Sequence, residues 1–387
     1  MRDRLFTPRF FIMCAYSFTV FVSVFQLLPT APYHIVELGG GTAAAGLFLG
    51  LLTYSSAISA PFTGTIGDRL GQRHVLIVVS LVLSLFTASY ALIGDYRWLL
   101  VVVTAHGLFW SALLSASGAY MTATIPRSRR AEGLGYWGLT SSLAIAVAPA
   151  LGFWVYKHGW VVLSLEMTVL NLLMAVIAWR LPDDHSGALG RDPADEATVT
   201  HHGRFIEWRV LLLSISLALI SFGYGGLTSF SAFFADELHI TPRSLFLGAM
   251  AVSILTGRLT MGSSLDRRGH RNVLLPCLTL PPLGLFILAL AQGTGSFLVA
   301  ALVFGAGFGL MYPAFTSYVM AHVSMSRRGA AFGAMLAAFD TGIGTGSSTM
   351  GWLIHHFGFR LAFGAVAGLA ALSLPAFLFA ERKLGYK

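Results

Sequence analysis

Long apolar runs separated by short polar clusters make up most of the sequence. Each run is close to the length of roughly 20 residues that an α-helix needs to cross a hydrocarbon core of ~30 Å. The runs lack the polar stripe that a helix on the surface of a soluble protein carries. The pattern predicts an all-α integral membrane protein with twelve transmembrane helices, at 9–33, 42–66, 75–94, 98–125, 133–156, 160–180, 208–235, 243–264, 273–292, 296–322, 330–356 and 359–380.

The composition agrees with a membrane location. Hydrophobic residues make up 56% of the chain and charged residues 11%, whereas a soluble domain has about 25% charged residues. A net charge of +8 is also found in proteins that bind nucleic acid, but here the basic residues are divided among short loops. We therefore expect the lipid bilayer, and not a nucleic acid, as the partner of this chain.

The basic residues also predict the orientation of the helices. Most of the 25 lysines and arginines fall in loops on one side of the predicted bundle. Because cytoplasmic loops carry such an excess, we expect both termini in the cytoplasm and the protein in the cell membrane. The charged N-terminus resembles a signal peptide, but the apolar stretch after it is long enough to span a membrane and lacks a cleavage site. We interpret it as an uncleaved first helix.

The two halves of the sequence resemble each other at a constant offset of 198 residues. A polar linker at 181–207 divides an N-terminal bundle at 1–180 from a C-terminal bundle at 208–387, with six predicted helices in each. We expect the bundles to be related by a pseudo-two-fold axis along the membrane normal. The matched pairs are Gly64/Gly262, Asp68/Asp266, Arg69/Arg267, Gly71/Gly269, Arg73/Arg271, Gly107/Gly305, Tyr120/Tyr318, Arg129/Arg327, Arg130/Arg328 and Gly135/Gly333.

This doubled loop motif, the linker and the twelve predicted helices resemble the major facilitator superfamily over essentially the whole chain. The resemblance implies a transporter that works by alternating access, with gating loops at 64–73 and 262–271. Within the superfamily, the stretch from Gly305 through Asp340 to Gly344 is similar to the sugar-efflux, drug–proton antiporter and opine-exporter-like branch. Physically, glycines permit a tight turn, and Asp68 could accept hydrogen bonds from helix ends or pair with an arginine across the two bundles.

The fifth predicted helix resembles the antiporter motif of family exporters. Gly135, Pro149 and Gly152 match that motif, whereas Ala144, Ala148 and Phe153 stand where glycines are usual. Small residues at this spacing also allow close helix packing in any membrane protein, so the motif favours export without requiring it. In the fourth helix His106 and Gly107 are present, but Val103 holds the position where exporters often have an arginine.

Few charged residues fall inside the predicted helices, where each costs about 3 kcal/mol or more. Asp340 lies ten residues into its helix, about 15 Å deep at 1.5 Å per residue, and Arg258 lies roughly 9 Å from the cytoplasmic end. We predict that the two pair and that Asp340 exchanges a proton while Arg258 tunes it, because burial and a nearby cation act on a carboxylate in opposite directions. The alternative is a fixed structural ion pair. His106 is a further candidate for proton coupling, or a packing residue.

The expected substrate cavity combines apolar walls with a few polar groups, as small-molecule sites commonly do. We assign to it, as candidates, Gln26, Tyr33, Trp110, Tyr224 and Tyr312.

These features favour a secondary active transporter that exports a small organic solute in exchange for protons. The alternatives are a proton symporter or facilitative uptake carrier and, from another class, a membrane receptor or scaffold that does not transport. The sequence contains no Walker loop for ATP and no paired nucleophile and base, so we expect neither an ATP-driven pump nor an enzyme. We expect no cofactor and no metal, and a monomer as the complete unit.

Overall fold

The computed structural model describes residues 4–182, 208–261, 269–323 and 327–385. Throughout these ranges the regular structure is helical, as the apolar pattern predicts. We label the helices α1 (Pro8–Glu37), α2 (Thr42–Leu70), α3 (Gln72–Tyr90), α4 (Tyr96–Thr124), α5 (Arg130–Tyr156), α6 (Trp160–Trp179), α7 (Trp208–Glu237), α8 (Leu245–Met261), α9 (His270–Ala289), α10 (Thr294–His322), α11 (Arg328–Ala371) and α12 (Ser373–Leu384).

Ten helical segments of the described residues are long and apolar enough to cross a membrane, and Leu245–Thr260 is a shorter apolar helix. The predicted all-α class is therefore confirmed, and the helix lengths agree with a membrane location. Helix α11 has 44 residues, which at 1.5 Å per residue is about 66 Å and twice the thickness of a hydrocarbon core. Gly358 interrupts it with a φ of 75° and a ψ of 172°, a conformation that glycine adopts far more easily than other residues.

Helix starts in the two parts of the chain keep the offset found in the sequence. Helices α3, α4 and α5 begin at Gln72, Tyr96 and Arg130, and α9, α10 and α11 begin at His270, Thr294 and Arg328, each 198 residues later. The residues before α3 and α9 are Gly71 and Gly269, with φ values of 84° and 81°. A positive φ at both positions explains why the doubled loop motif has glycine there.

The helices form two sets, α1–α6 and α7–α12. Helices pack against others of their own set, and the two sets pack against each other. Helix α1 packs against α5 and α6, and α2 against α4, while α7 packs against α11 and α8 against α10. Between the sets, α2 packs against α11 and α5 against α8. The contact of α2 with α11 is close, because a Cβ on Gly46 would lie 2.4 Å from the Ser347 carbonyl oxygen.

Two of the loop-motif arginines, Arg73 and Arg271, bind within their own set of helices. Arg73 donates to the Trp179 carbonyl oxygen at the end of α6, at 2.8 Å. Arg271 donates to both carboxylate oxygens of Glu381 on α12, at 2.8 and 3.0 Å. Tyr318 donates to the same carboxylate at 2.8 Å, and Tyr120 donates to the Pro182 carbonyl oxygen just after α6 at 3.0 Å. The matched residues thus fasten the end of each six-helix stretch.

Other predicted gating-loop residues lie partly or wholly outside the described part of the chain. Gly262, Asp266 and Arg267 lie outside the described residues. Gly64 and Asp68 are part of α2, but their surroundings are likewise outside the description, and Arg69 is exposed. The predicted pairing of Asp68 with an arginine across the bundles stays a prediction.

Candidate transport site

Arg258 on α8 reaches across to a helix of the other set. Its Nε donates to the Gly309 carbonyl oxygen of α10 at 3.1 Å, and its Nη1 donates to the Ser142 hydroxyl and, at 3.5 Å, to the Gly138 carbonyl oxygen of α5. Ser142 and Gly309 lie near the middle of their helices. The guanidinium is therefore deeper in the bundle than the position of Arg258 along the chain predicts.

The predicted ion pair between Arg258 and Asp340 is not formed. Neither residue has a salt bridge within 4.0 Å to any part of the chain that the structure describes. The reason is the arrangement of the helices: α8 packs against α5 and α10, while α11 packs mainly against α2 and α7. The hydroxyl that Arg258 contacts instead belongs to Ser142, which is the repeat counterpart of Asp340.

Asp340 lies near the middle of the stretch 328–357 of α11 and is partly exposed. Its carboxylate makes no hydrogen bond or ion pair with the described residues, although Tyr312 of α10 is near enough to interact with it electrostatically. One helical turn further on, Gly344 meets α2, where an added Cβ would lie 2.4 Å from the Thr53 hydroxyl. Asp340 is thus an unpaired acid beside the contact between the two sets of helices.

Four aromatic rings connect the surroundings of Arg258 with those of Asp340. Tyr224 stacks on Phe308 at 4.4 Å, Phe308 lies 6.2 Å from Phe339, and Phe339 meets Tyr312 edge-on at 5.2 Å. Tyr224 interacts electrostatically with Arg258, and Phe339 directly precedes Asp340. We call these four residues the aromatic bridge.

The sequence prediction found only part of this arrangement. Tyr224 and Tyr312 were candidates, and the structure brings both together with Arg258 and Asp340. Phe308, Phe339 and Ser142 were missed. The sequence holds a signal for two of them: Phe308 lies one helical turn before Tyr312, and Ser142 is the repeat counterpart of Asp340.

The structure places His106 away from this arrangement. Its ring is buried, with an exposed fraction of 2%, and it stacks between Tyr90 and Phe86 of α3 at 6.1 and 6.0 Å. Its Nδ1 shares a hydrogen bond of 3.0 Å with the Tyr90 hydroxyl. These contacts are those of a packing residue between α3 and α4, and the role of His106 in proton coupling stays a prediction.

The remaining cavity candidates lie elsewhere in the first set of helices. Gln26 of α1 is fully buried and donates to the Glu166 carboxylate of α6. Trp110 of α4 meets Phe21 edge-on at 6.1 Å. Neither contacts the aromatic bridge through a described interaction.

The antiporter-like residues of α5 have different surroundings. At Gly152 an added Cβ would lie 2.6 Å from the Cβ of Gln26, so glycine is needed for the close approach of α5 to α1. At Gly135 nothing lies within 4 Å of an added Cβ, so packing does not require glycine there. Pro149 is buried inside α5.

Tyr33 belongs to a polar cluster at the end of the bundle where α1 and α7 finish. Its hydroxyl donates to Asp236 at 2.9 Å, and Arg243 donates to the other oxygen of the same carboxylate at 2.8 Å. The Tyr33 ring stacks on Phe233 at 3.9 Å, and the Arg243 guanidinium lies 4.7 Å from its centre. We call Tyr33, Asp236 and Arg243 the Tyr33 latch, because they join α1 to α7 and to the following loop.

Arg243, the cation of the Tyr33 latch, keeps its positive charge at ordinary pH. Partial burial opposes the charge on Arg243, but its hydrogen bond to Asp236 and the nearby Tyr33 outweigh this and raise the pKa of Arg243 above its usual value. Arg243 therefore stays protonated at ordinary pH, and its ion pair with Asp236 is kept there.

Comparisons with known proteins extend over nearly the whole chain. The family model described as Major Facilitator Superfamily matches residues 9–335 and again 213–385. The MFS-type transporter YhhS of Escherichia coli (strain K12) is 23% identical over 377 residues, covering 93% of this chain and 89% of the relative. The MFS-type transporter PA1993 of Pseudomonas aeruginosa is 27% identical over 386 residues, covering 94% and 91%.

Among solved structures, the chain is similar to the nucleoside transporter NupG. The TM-score is 0.79 at 15% sequence identity, and the alignment covers 98% of this chain and 100% of NupG. At this identity the likeness concerns the fold alone.

Proposed function

The chain belongs to the major facilitator superfamily, and on that premise we propose that it is a secondary transporter that exports a small organic solute in exchange for protons. As a member of this family it is a multi-pass membrane protein whose relatives are transporters. The solute, the direction and the coupling to protons are our proposals.

We propose that the chain crosses the membrane twelve times, as two six-helix bundles at 1–180 and 208–387 joined by the linker at 181–207. The constant offset of the helix starts supports the duplication. The break at Gly358 supports two crossings over 328–384, since at 1.5 Å per residue 328–357 is about 45 Å long and 359–384, which includes α12, is about 39 Å long. Both termini would lie in the cytoplasm and the unit would be a monomer in the cell membrane.

Alternating access would then be a rocking of one bundle against the other. The contacts of α2 with α11 and of α5 with α8 are repeat counterparts of each other, and they provide two similar surfaces on which the bundles can rock. The Tyr33 latch would close one end of the pathway and reopen when the bundles tilt.

The unpaired carboxylate of Asp340 is the observation that supports proton coupling. An ionised carboxylate inside the membrane without a cation beside it is energetically costly. Whether such a group takes up or releases a proton therefore depends strongly on the groups around it. Because Asp340 adjoins the contact between α11 and α2, rocking would change those surroundings. A fixed ion pair with Arg258, the structural alternative, has no support in the contacts of Asp340.

Efflux is supported by the resemblance of α5 to the antiporter motif. The close approach at Gly152 is one that any bundle of this kind could use, so uptake by a symporter or a facilitative carrier is the second candidate. Membership of the branch of sugar, drug and opine exporters is a proposal that rests on the sequence resemblance alone.

The test uses the purified full chain in liposomes that contain a pH-sensitive dye. We expect solute-dependent proton flux in the wild type and its loss in Asp340→Asn. The matched control is Glu237→Gln, which neutralises an exposed acid at the end of α7 and should retain the flux. The sign of the flux distinguishes antiport from symport.

Solute movement without proton flux, equal in the wild type and in Asp340→Asn, would contradict proton coupling and leave a facilitative carrier. Saturable solute binding with no movement under any gradient would indicate the receptor or scaffold class instead.

A further inference from the structure

We propose that Arg258 receives the anionic group of the transported solute, and that this solute is an organic carboxylate with an apolar body containing a ring. The inference rests on the proposed transport function, because it assigns a substrate class to the same site. It is carried by the contacts of one guanidinium and by the rings beside it.

The first step is that Arg258 is a cation without an anion. Its described partners are two backbone carbonyl oxygens and one hydroxyl, at Gly309, Gly138 and Ser142. These groups accept hydrogen bonds but do not neutralise the charge. A charged side chain inside a membrane bundle is normally paired with an opposite charge, and where it is not, it marks a site for a substrate or an ion.

The second step is that donor capacity remains. A guanidinium has five N–H groups in a planar fork that suits the two oxygens of a carboxylate. In Arg258 the described hydrogen bonds use Nε and Nη1 and leave Nη2 without a described acceptor. The residue is also partly exposed. A carboxylate that binds at Nη2 has no acidic side chain among the described residues to displace.

The third step concerns the body of the solute. The aromatic bridge begins beside Arg258 at Tyr224 and ends beside Asp340 at Tyr312. Phe308, Phe339 and Tyr312 pack against the apolar core and keep part of their surface exposed. Rings of this kind favour a flat apolar group, and a few polar groups on apolar walls are typical of sites for small organic molecules.

The fourth step separates the roles of the two charges. Asp340 does not contact Arg258, so an anion bound at the guanidinium does not compete with an ion pair. A carboxylate solute would be repelled by ionised Asp340 and tolerated beside its protonated form, so the proton and the solute would bind together. Joint binding of this kind is the coupling of a symporter, the second candidate function, and the sign of the proton flux in liposomes distinguishes it from antiport.

The fifth step concerns conformational change. Arg258 comes from the second set of helices, and two of its acceptors come from α5 of the first set. An anion at the guanidinium would change the strength of this contact between the sets. Binding would thus act directly on the surface on which the bundles rock.

The experiment measures binding, independently of transport. The purified full chain in detergent is heated with benzoate, phenylacetate or 3-phenylpropionate, and with the corresponding amides and amines, and the shift in the unfolding temperature is recorded. We expect at least one carboxylate to raise that temperature in a saturable way, and its amide and amine to bind at least about tenfold more weakly.

Variants identify the residue responsible. Arg258→Gln should lose the response to the carboxylate, and Arg258→Lys should keep part of it. The matched control is Arg360→Gln, which removes an exposed arginine of α11 and should bind as the wild type does. If Arg258→Gln fails to fold, the comparison of carboxylate, amide and amine on the wild type still decides the question.

The proposal is overturned if an amine binds as well as or better than its carboxylate, if no carboxylate of the series binds, or if Arg258→Gln binds like the wild type. Its failure can be told from that of proton coupling. Carboxylate binding by the wild type, together with solute movement in liposomes but no proton flux, would remove the coupling and leave the anion site.

Discussion

Ser142 and Asp340 hold corresponding positions at the 198-residue offset and differ in chemistry. Ser142 lies on α5 and accepts a hydrogen bond from Arg258, whereas Asp340 lies on α11. An acid at this position would meet the guanidinium and neutralise it, whereas the serine hydroxyl leaves the charge in place. The difference between these two counterparts keeps Arg258 available and Asp340 unpaired.

Replacing Ser142 with aspartate should therefore block anion binding. In Ser142→Asp the new carboxylate lies within reach of Arg258 and forms an ion pair that joins α5 to α8. We expect carboxylate affinity to fall at least about tenfold, which corresponds to about 1.4 kcal/mol, and transport to slow because the bundles are held together. Asparagine has the size of aspartate without its charge, so Ser142→Asn should bind the carboxylate nearly as the wild type does. Equal binding by the two variants would contradict this account of Arg258.

Lengths and starts of helices were predictable because simple physical limits set them. The thickness of the bilayer fixes the length of an apolar run, so the first ten runs coincide with helices to within a few residues. The last two, at 330–356 and 359–380, do not, because α11 continues from Arg328 to Ala371 across the break at Gly358 and α12 follows it. The repeat offset predicted the register of α3, α4 and α5 with α9, α10 and α11. The pairing of Arg258 was not predictable from spacing, because it depends on which helix α8 meets and how the long side chain turns. Chain position placed the guanidinium near a helix end, while its partners lie near helix centres.

Small residues on α5 provide a matched test of helix packing. We expect Gly152→Ala to lower the free energy of unfolding by about 1–3 kcal/mol, because its Cβ would overlap the backbone and Cβ of Gln26 and overpacking carries a cost of this size. Gly135→Ala should be neutral or stabilising, since nothing lies within 4 Å of the added Cβ and alanine is favoured over glycine in a helix by up to about 1 kcal/mol.

Thermal unfolding of the two variants in the same detergent gives the comparison. A loss of stability of equal size in both variants would contradict the close packing of α5 against α1 at Gly152. A loss of transport in Gly135→Ala with normal stability would instead indicate that this glycine serves the conformational change.

Side chains from both sets of helices meet at the end of the molecule that we propose the Tyr33 latch closes. The Tyr33 latch joins α1 to α7, and Tyr156 of α5 donates to Glu37 of α1 at 2.6 Å next to it. Asp236 and Arg243 remain partly exposed, with side-chain exposed fractions of 36% and 46%, so their ion pair is weakened by solvent. Contacts of this strength can hold a pathway shut and still release within a transport cycle.

Removing the latch should shift the protein toward the form that is open at this end. In Tyr33→Phe the hydrogen bond to Asp236 is lost while the stacking on Phe233 is kept, and a hydrogen bond of this kind contributes about 0.5–1.5 kcal/mol. We expect a several-fold increase in the open population, measured as a longer distance between spin labels at Val36 and Glu237 after both natural cysteines are replaced. Arg97→Gln, which changes an exposed residue near the start of α4, is the control and should leave the distances unchanged. If Tyr33→Phe also leaves the distances unchanged, closure rests on the backbone contact of α2 with α11 and not on the latch. Gly46→Ala should then open the same end, because its Cβ would overlap the Ser347 carbonyl oxygen.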